Sequence, residues 1–282
     1  MFFAGIDLGS TITKAVILDG DKRICARVAG ATGAEHRRRA GEVMAEALKQ
    51  ASLSLSQIGY IVATGYGRVN VPFADCQVTE LTCHARGVYH LFPNSRTAID
   101  IGGQDAKGLK IADGKLIDFV MNDRCAAGTG RFLEITAAAL GLKLTELGQI
   151  SLKAKSKIDI SSTCTIFAQS EIVALISAGK PLEDILAGLH DAIAGRVVKM
   201  VRGLKIEPDV VFTGGVAKNE AVVKAIREKL DCELLVPQEP LFTGATGAAL
   251  LAGEMAFKIT QDGGRLPAMK RRLEAARLYP DE

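Results

Sequence analysis

The chain of 282 residues has no tryptophan, 5% aromatic residues, eight prolines and six cysteines, and it carries almost no net charge, +3 at pH 7. Each shortage excludes something. No uncharged apolar run approaches the roughly 20 residues a membrane-spanning helix needs, so a membrane protein is not expected. Six cysteines in a chain of this length do not make a disulfide scaffold, and a reduced setting fits them better. The basic residues are scattered apart from 36–39 and 270–272, short clusters that read as solvated faces rather than a nucleic-acid footprint. The opening Met1-Phe2-Phe3-Ala4-Gly5-Ile6-Asp7 lacks a basic region and a long apolar core, so no secretory signal is read there and the expected location is the cytoplasm.

What remains is globular in composition, 48% hydrophobic and 24% charged with 29 glycines, and long enough for two lobes. Two stretches draw attention first. In Asp123-Arg124-Cys125-Ala126-Ala127-Gly128-Thr129-Gly130-Arg131-Phe132 a cysteine stands before a glycine-punctuated run and a helical pattern. Thirty-nine residues on, Ser161-Ser162-Thr163-Cys164-Thr165 repeats the arrangement ahead of a helix from about Ile166. Capping residue types precede Cys164, and both thiols are expected at helix starts, where free N–H groups favour a thiolate. Two such cysteines are half of a four-thiolate site. Cys25, Cys76, Cys83 and Cys232 are expected to be packing residues. Cys83-His84 lie side by side on a predicted helix and so point apart, which argues against a metal pair there.

Hydrophobic patterning predicts strands at 2–8, 13–18, 23–28 and 60–65 with helices at 38–51 and 80–90. A second set of strands follows at 97–101, 107–111 and 116–121. Helices are expected from about residues 130, 146, 166, 182 and 196, a strand at 210–213, a helix at 219–230, a short strand at 233–236 and a last helix from 243 to about 258. The order strand, turn, strand, strand, helix occurs twice, each time opened by an apolar strand, aspartate and glycine, which is an internal duplication. The resulting division is a lobe at 1–92 completed by the helix near 245–258, a second lobe at 93–244 carrying Cys125 and Cys164, and a loosely docked extension at 260–282.

The repeated turns, Asp7-Leu8-Gly9-Ser10-Thr11 and Asp100-Ile101-Gly102-Gly103-Gln104, suit a phosphate chain. Glycine lets backbone N–H groups approach, hydroxyls point inward, and a strand-end aspartate can face hydrated Mg²⁺. Lys14 is placed to reach phosphate oxygens. A third glycine pair, in Thr213-Gly214-Gly215-Val216-Ala217-Lys218-Asn219, lets a nucleoside lie against backbone, with Asn219 opening the next helix.

These three motifs resemble the two phosphate motifs and the adenosine motif of the actin/Hsp70/sugar-kinase (ribonuclease H-like) ATPases. Within that superfamily, Ala63-Thr64-Gly65-Tyr66-Gly67-Arg68 and the two cysteine stretches resemble the BadF/BadG/BcrA/BcrD-type ATPases, which include activators of 2-hydroxyacyl-CoA dehydratases and ATPase subunits of benzoyl-CoA reductases. The resemblance runs from about residue 3 to 256. It implies an α/β fold of two duplicated lobes with nucleotide in the cleft between them, and ATP-dependent one-electron transfer at low potential. It further implies one [4Fe-4S] cluster shared by two subunits through Cys125 and Cys164, with ATP or ADP and Mg²⁺. Asp7, Asp100 and Gln104 are the implied catalytic residues, with Glu134 a candidate base. Gly9, Ser10, Thr11, Lys14, Gly102, Gly103, Gln104, Gly130, Gly214, Gly215, Ala217, Asn219 and Gln238 are the implied nucleotide-binding residues, with Ser10, Thr11, Lys14, Gly103 and Gln104 on the phosphates and Gly214, Gly215, Ala217 and Asn219 on adenosine. The implied partners are a second copy or a related ATPase subunit, a dehydratase or reductase component, and reduced ferredoxin or flavodoxin. A small-molecule kinase and a non-enzymatic ATP switch of the same fold stay open; neither gives the cysteine motifs a purpose.

Overall fold

An apolar strand that ends in Asp-x-Gly occurs twice, and each copy lies at the centre of one five-stranded sheet. The structure, a computed structural model, describes residues 1–123, 125–161, 164–267 and 271–273. In chain order it contains β1 (Phe2–Leu8), β2 (Ile12–Leu18), β3 (Ile24–Ala31), α1 (His36–Gln50), β4 (Ile58–Thr64), β5 (Cys76–Gln77) and α2 (Glu80–Leu91). There follow β6 (Thr97–Ile101), β7 (Ala106–Ala112), β8 (Lys115–Asn122), α3 (Gly130–Leu140), α4 (Leu144–Ser151), α5 (Thr165–Ser177) and α6 (Leu182–Val201). The chain closes with β9 (Val210–Thr213), α7 (Glu220–Leu230), β10 (Leu234–Leu235) and α8 (Thr243–Gln261).

Two compact units result: Met1–Pro93 with Asp113–Leu116 and the described residues from Phe242 onward, and Asn94–Ala112 with Ile117–Leu241. The sheet orders are β3-β2-β1-β4-β5 and β8-β7-β6-β9-β10, so the strands correspond one to one. In both, the first strand pairs antiparallel with the second and parallel with the fourth. The duplication read from two motifs is therefore a duplication of whole sheets.

Each central strand is buried on both faces, as a strand covered by helices must be. In the first unit Ala40, Val43, Met44 and Ala47 of α1 cover Ile6, Ala15 and Ile61 on one face. Ala248, Ala252 and Ala256 of α8 join Val62 and Cys83 on the other. In the second unit Ile185, Leu189, Ile193 and Val197 of α6 form the core with Ile99, Phe132 and Phe212. Alanine-rich helix faces let these helices lie close to the sheet without aromatic filling.

Three expectations are corrected. The helices anticipated from 182 and from 196 are one 20-residue helix, α6, whose buried positions Ile185, Leu189, Ile193, Val197 and Val201 keep one face toward the core throughout. The strand at 233–236 shortens to Leu234–Leu235, the only residues whose register pairs with β9. The extension is also not loose where it is described. Arg271 forks onto Asp75 at 3.0 and 2.6 Å and donates to the carbonyls of Ile58 and Gly59, while Leu273 packs against the first core. A guanidinium 7% exposed facing a carboxylate 6% exposed is a buried pair, which binds the end of the chain to the start of β4.

Candidate functional site

The same two side-chain types flank each strand-end aspartate. Asp7 faces Lys14 across the antiparallel ladder and Thr64 across the parallel one; Asp100 faces Lys107 and Thr213 in the same registers. After each threonine comes a glycine with positive φ, Gly65 at 85° and Gly214 at 87°. A Cβ on Gly65 would stand 2.4 Å from Asp7 Oδ1, and one on Gly214 would stand 2.8 Å from Asp100 Oδ1 and 2.3 Å from the Ile101 carbonyl. Only glycine combines that conformation with that approach. The resulting unit is an aspartate, a lysine seven residues on, and a Thr-Gly turn beside it.

The two copies differ in charge. Lys14 Nζ donates to Asp7 Oδ2 at 2.8 Å and keeps some contact with solvent, whereas Lys107 is buried against Asp105 at 2.7 Å and Asp100 at 3.5 Å. Asp100 Oδ1 accepts from Thr213 Oγ1 at 3.0 Å. Asp7 Oδ1 is buried with no hydrogen-bond partner among the described residues. A desolvated carboxylate oxygen without a donor suits a hard cation, so the donor set at this turn fits Mg²⁺. Gly9, Ser10 and Thr11 form the first turn and Gly102, Gly103 and Gln104 the second, with Ser10 and Gln104 exposed at the tips.

Val210–Thr213 ends in Gly214, and a 3-10 turn, Gly215–Lys218, leads to Asn219. Asn219 Oδ1 accepts from the N–H of Ala221 (3.0 Å) and Val222 (3.3 Å), the N-cap of α7. Its amide nitrogen then faces His190 Nε2 at 3.0 Å, so Nε2 is the acceptor and the ring proton lies on Nδ1, 2.9 Å from Ser151 Oγ. Asn219 thus has a structural task beside the assigned nucleoside one. Gln238 is exposed in the segment after β10.

Burial holds His190 neutral, with its pKa lowered to about 4 from 6.5. The unfolded chain binds the extra proton between these values, so the stability His190 contributes is present above pH 6.5 and is lost as pH falls toward 4. Stability in urea should fall by about 2 kcal/mol more between pH 7 and 5 in the parent than in a His190→Phe variant. Equal losses in both would dismiss His190 as the sensor.

Cys125 and Cys164 are both exposed, while the other four cysteines are buried or half-buried. Burial pushes Cys83 up to about 12 and raises Cys25 and Cys232, so these thiols resist becoming thiolates. Cys164 is the N-cap residue of α5. Cys125 does not sit at a helix start: α3 begins five residues later at Gly130, and Cys125 lies in a turn whose Cys125 and Ala127 carbonyls accept from Asn122 Nδ2 at 3.0 and 3.1 Å. The helix itself begins where the pattern placed it, at residue 130, so Cys125 precedes it by a glycine-containing turn. Cys125 opens onto a cavity of about 770 Å³ that Arg196 and Lys199 also line. Ahead of Cys164, Glu171 accepts from the Ser161 N–H and hydroxyl at 3.0 and 2.9 Å. Arg124, Ser162 and Thr163 lie outside the described residues. Two accessible thiols in one chain, each on a braced turn, fit half of a four-thiolate cluster.

The second turn and the Cys125 segment are bonded to one another. Gly130 N–H donates to the Gly102 carbonyl at 2.8 Å and Arg131 N–H to the Gly103 carbonyl at 2.7 Å, so the first amides of α3 are spent on the hairpin. Glu134, by contrast, pairs with Arg131 at 3.0 Å on the face of α3, an ordinary i,i+3 contact. Sequence reasoning missed Lys107, Asn122 and the pairing of Thr64-Gly65 with Thr213-Gly214. The first was legible, because the seven-residue spacing of Asp7 and Lys14 recurs in Asp100 and Lys107.

Comparisons with known proteins identify relatives along almost the whole chain. The chain is 46% identical over 261 residues to the activator of lactoyl-CoA dehydratase from Anaerotignum propionicum, covering 92% of this chain and 100% of that protein. The crystal structure of component A of the Acidaminococcus fermentans (R)-2-hydroxyglutaryl-CoA dehydratase superposes with a TM-score of 0.89 at 41% identity, covering 91% of this chain and 99% of that one. The activator of the 2-hydroxyisocaproyl-CoA dehydratase from Clostridium difficile, solved with bound ADPNP, gives a TM-score of 0.88 at 43% identity, covering 93% and 98%. The fold is that of the actin/Hsp70/sugar-kinase ATPases. With residues 4–252 matched by its family model, the chain belongs to the BadF/BadG/BcrA/BcrD ATPase family.

Proposed function

We propose that this ATPase is the activating component of a 2-hydroxyacyl-CoA dehydratase, using ATP to deliver single electrons at low potential. Its relatives' names support the dehydratase as partner. Asp7 and Asp100 orient Mg²⁺; Ser10, Thr11, Lys14, Gly103 and Gln104 hold phosphates; Gly214, Gly215, Ala217 and Asn219 face the nucleoside, and Gln238 is a further nucleotide-binding residue. Cys125 and Cys164 of two copies supply four thiolates, and a [4Fe-4S] cluster so bound supplies a one-electron carrier. A second copy also accounts for the apolar side chains that α5 leaves exposed, Ile166 and Phe167 at 69% and Val173 at 48%. Reduced ferredoxin or flavodoxin is the proposed donor, in the cytoplasm. No helix is long and apolar enough to cross a membrane among the described residues.

The observation that carries the coupling is the pair of hydrogen bonds from Gly130 and Arg131 to Gly102 and Gly103. A hairpin that shifts when it meets phosphate pulls on the start of α3 and on the turn holding Cys125. Coupling free energies are reciprocal and about 1–3 kcal/mol. Anaerobically purified protein is expected to hold about four iron and four sulfide per two chains. An iron chelator should remove that iron at clearly different rates with ADP and with ATP, and the potentials of the two states should differ by about 40 mV or more. The same rates and potentials with both nucleotides would leave an ATPase and a cluster without connection.

A further inference from the structure

Cys83 and His84 stand together in the sequence, and the structure separates their tasks. They are neighbours on α2, so their side chains diverge by about 100° around the helix. Cys83 turns into the core and is fully buried. α2 and α8 approach backbone to backbone there: a Cβ on Gly247 would lie 1.7 Å from the Cys83 carbonyl oxygen, and one on Gly87 2.2 Å from that of Thr243. This contact turns His84 toward the first turn of α8. A Cβ on Gly244 would stand 3.0 Å from His84 Nδ1 and 3.5 Å from Asp7 Oδ2. The imidazole and the strand-end carboxylate therefore reach the same small volume over one bare glycine, and His84 is only 5% exposed. Lys14 Nζ donates to that same Asp7 Oδ2 at 2.8 Å.

Surface packing does not need a histidine in this position. A leucine would fill the volume, and a buried imidazole beside a carboxylate is retained where its ring nitrogens have a use. The first phosphate turn brings a cation (Lys14) and a carboxylate (Asp7) to this volume, and Glu80, one turn back on α2, offers a carboxylate oxygen within 4.8 Å of a His84 ring nitrogen. Ser10 and Thr11 belong to the turn itself.

We propose that His84 is a residue of the hydrolytic site, its ring accepting a hydrogen bond from the water that attacks the terminal phosphate of ATP; this rests on the ATPase reading. In that step the water oxygen bonds to the γ-phosphorus, the bond from phosphorus to the bridging oxygen breaks, and ADP leaves with the electron pair. The proton shed by the water ends on the phosphate product. Glu134, occupied by Arg131 on the α3 surface, is not needed in this role.

The test is Mg²⁺-ATP turnover, ATP affinity and thermal stability in His84→Phe and His84→Ala. His84→Phe keeps the ring's shape without its nitrogens. Turnover is expected to fall about 100-fold while the dissociation constant stays within about threefold, a kcat loss without a binding loss. Added imidazole should return part of the turnover to His84→Ala, which a merely structural residue would not allow. Turnover within about twofold of the parent in either folded variant, or affinity lost in step with turnover, overturns the proposal. So does a His84→Ala protein that binds ATP and does not respond to imidazole. A parent protein without any ATP turnover would instead remove the ATPase reading beneath it.

Discussion

Asp100→Asn is expected to lower Mg²⁺-dependent ATP turnover by about 100-fold or more, with a loss of stability no greater than about 1–2 kcal/mol. The two effects separate because of what Asp100 touches. Asparagine has the same shape and still offers an oxygen to Thr213 Oγ1, which lies 3.0 Å from Asp100 Oδ1. Lys107 keeps its shorter partner, Asp105 at 2.7 Å, so the buried ammonium is not left without a carboxylate. What disappears is one negative charge at the end of β6, where a divalent cation and the phosphate chain would be held. In a site of low dielectric that charge is worth far more to a Mg²⁺ complex than to the fold. Turnover, Mg²⁺ dependence and the melting temperature of the variant check this together. Turnover within about threefold of the parent would show that the metal is held elsewhere. A large loss of melting temperature would show that Asp100 is a structural counter-ion.

Cys164→Ala is expected to leave protein that still hydrolyses ATP and contains little or no iron. The nucleotide motifs use none of the cysteines, and Cys164 caps α5 through backbone geometry without a side-chain cap hydrogen bond, so alanine does not unfold the helix. Removing it from both copies deletes two of four thiolates, and a cubane cluster does not survive on the other two. Cys125→Ala should do the same, because Asn122 holds that turn through carbonyls that alanine retains. Cys25→Ala and Cys232→Ala are the controls: both thiols are half-buried and raised by burial, and iron content should be unchanged. Full iron in Cys164→Ala would end the shared-cluster reading, whatever the ATPase rate.

Much of this was legible in one dimension. Asp7 and Asp100 were readable because an apolar strand that stops at Asp-x-Gly has few uses, and two copies at matching offsets have fewer still. Asn219 was readable as a helix start, and the structure makes it the N-cap of α7. Cys125 and Cys164 stood out by their glycine and hydroxyl neighbours. The expectations that the structure revised depended on neighbours distant in sequence. How much of 233–236 is strand depended on its register with Val210 and Val211, and whether the extension is held depended on Asp75, 196 residues from Arg271.

By itself the sequence determined the α/β class, the internal repeat, the residue types at the phosphate turns and the pair of cysteines set apart from the other four. These follow from local rules: side-chain period, turn chemistry and spacing within a few residues. Only the tertiary structure decided which lysine and threonine flank each aspartate, because β2 and β4 reach β1 by ladder register and not by sequence distance. It alone decided that the second phosphate turn is hydrogen-bonded to the start of α3, and that His84 faces Asp7 while Cys83 is buried. The placement of His84 and Cys83 turns on the close passage of α8 over α2, where two backbones meet at glycines far apart in the chain. Such a contact lowers the energy of the folded chain alone and has no counterpart in any short stretch of it.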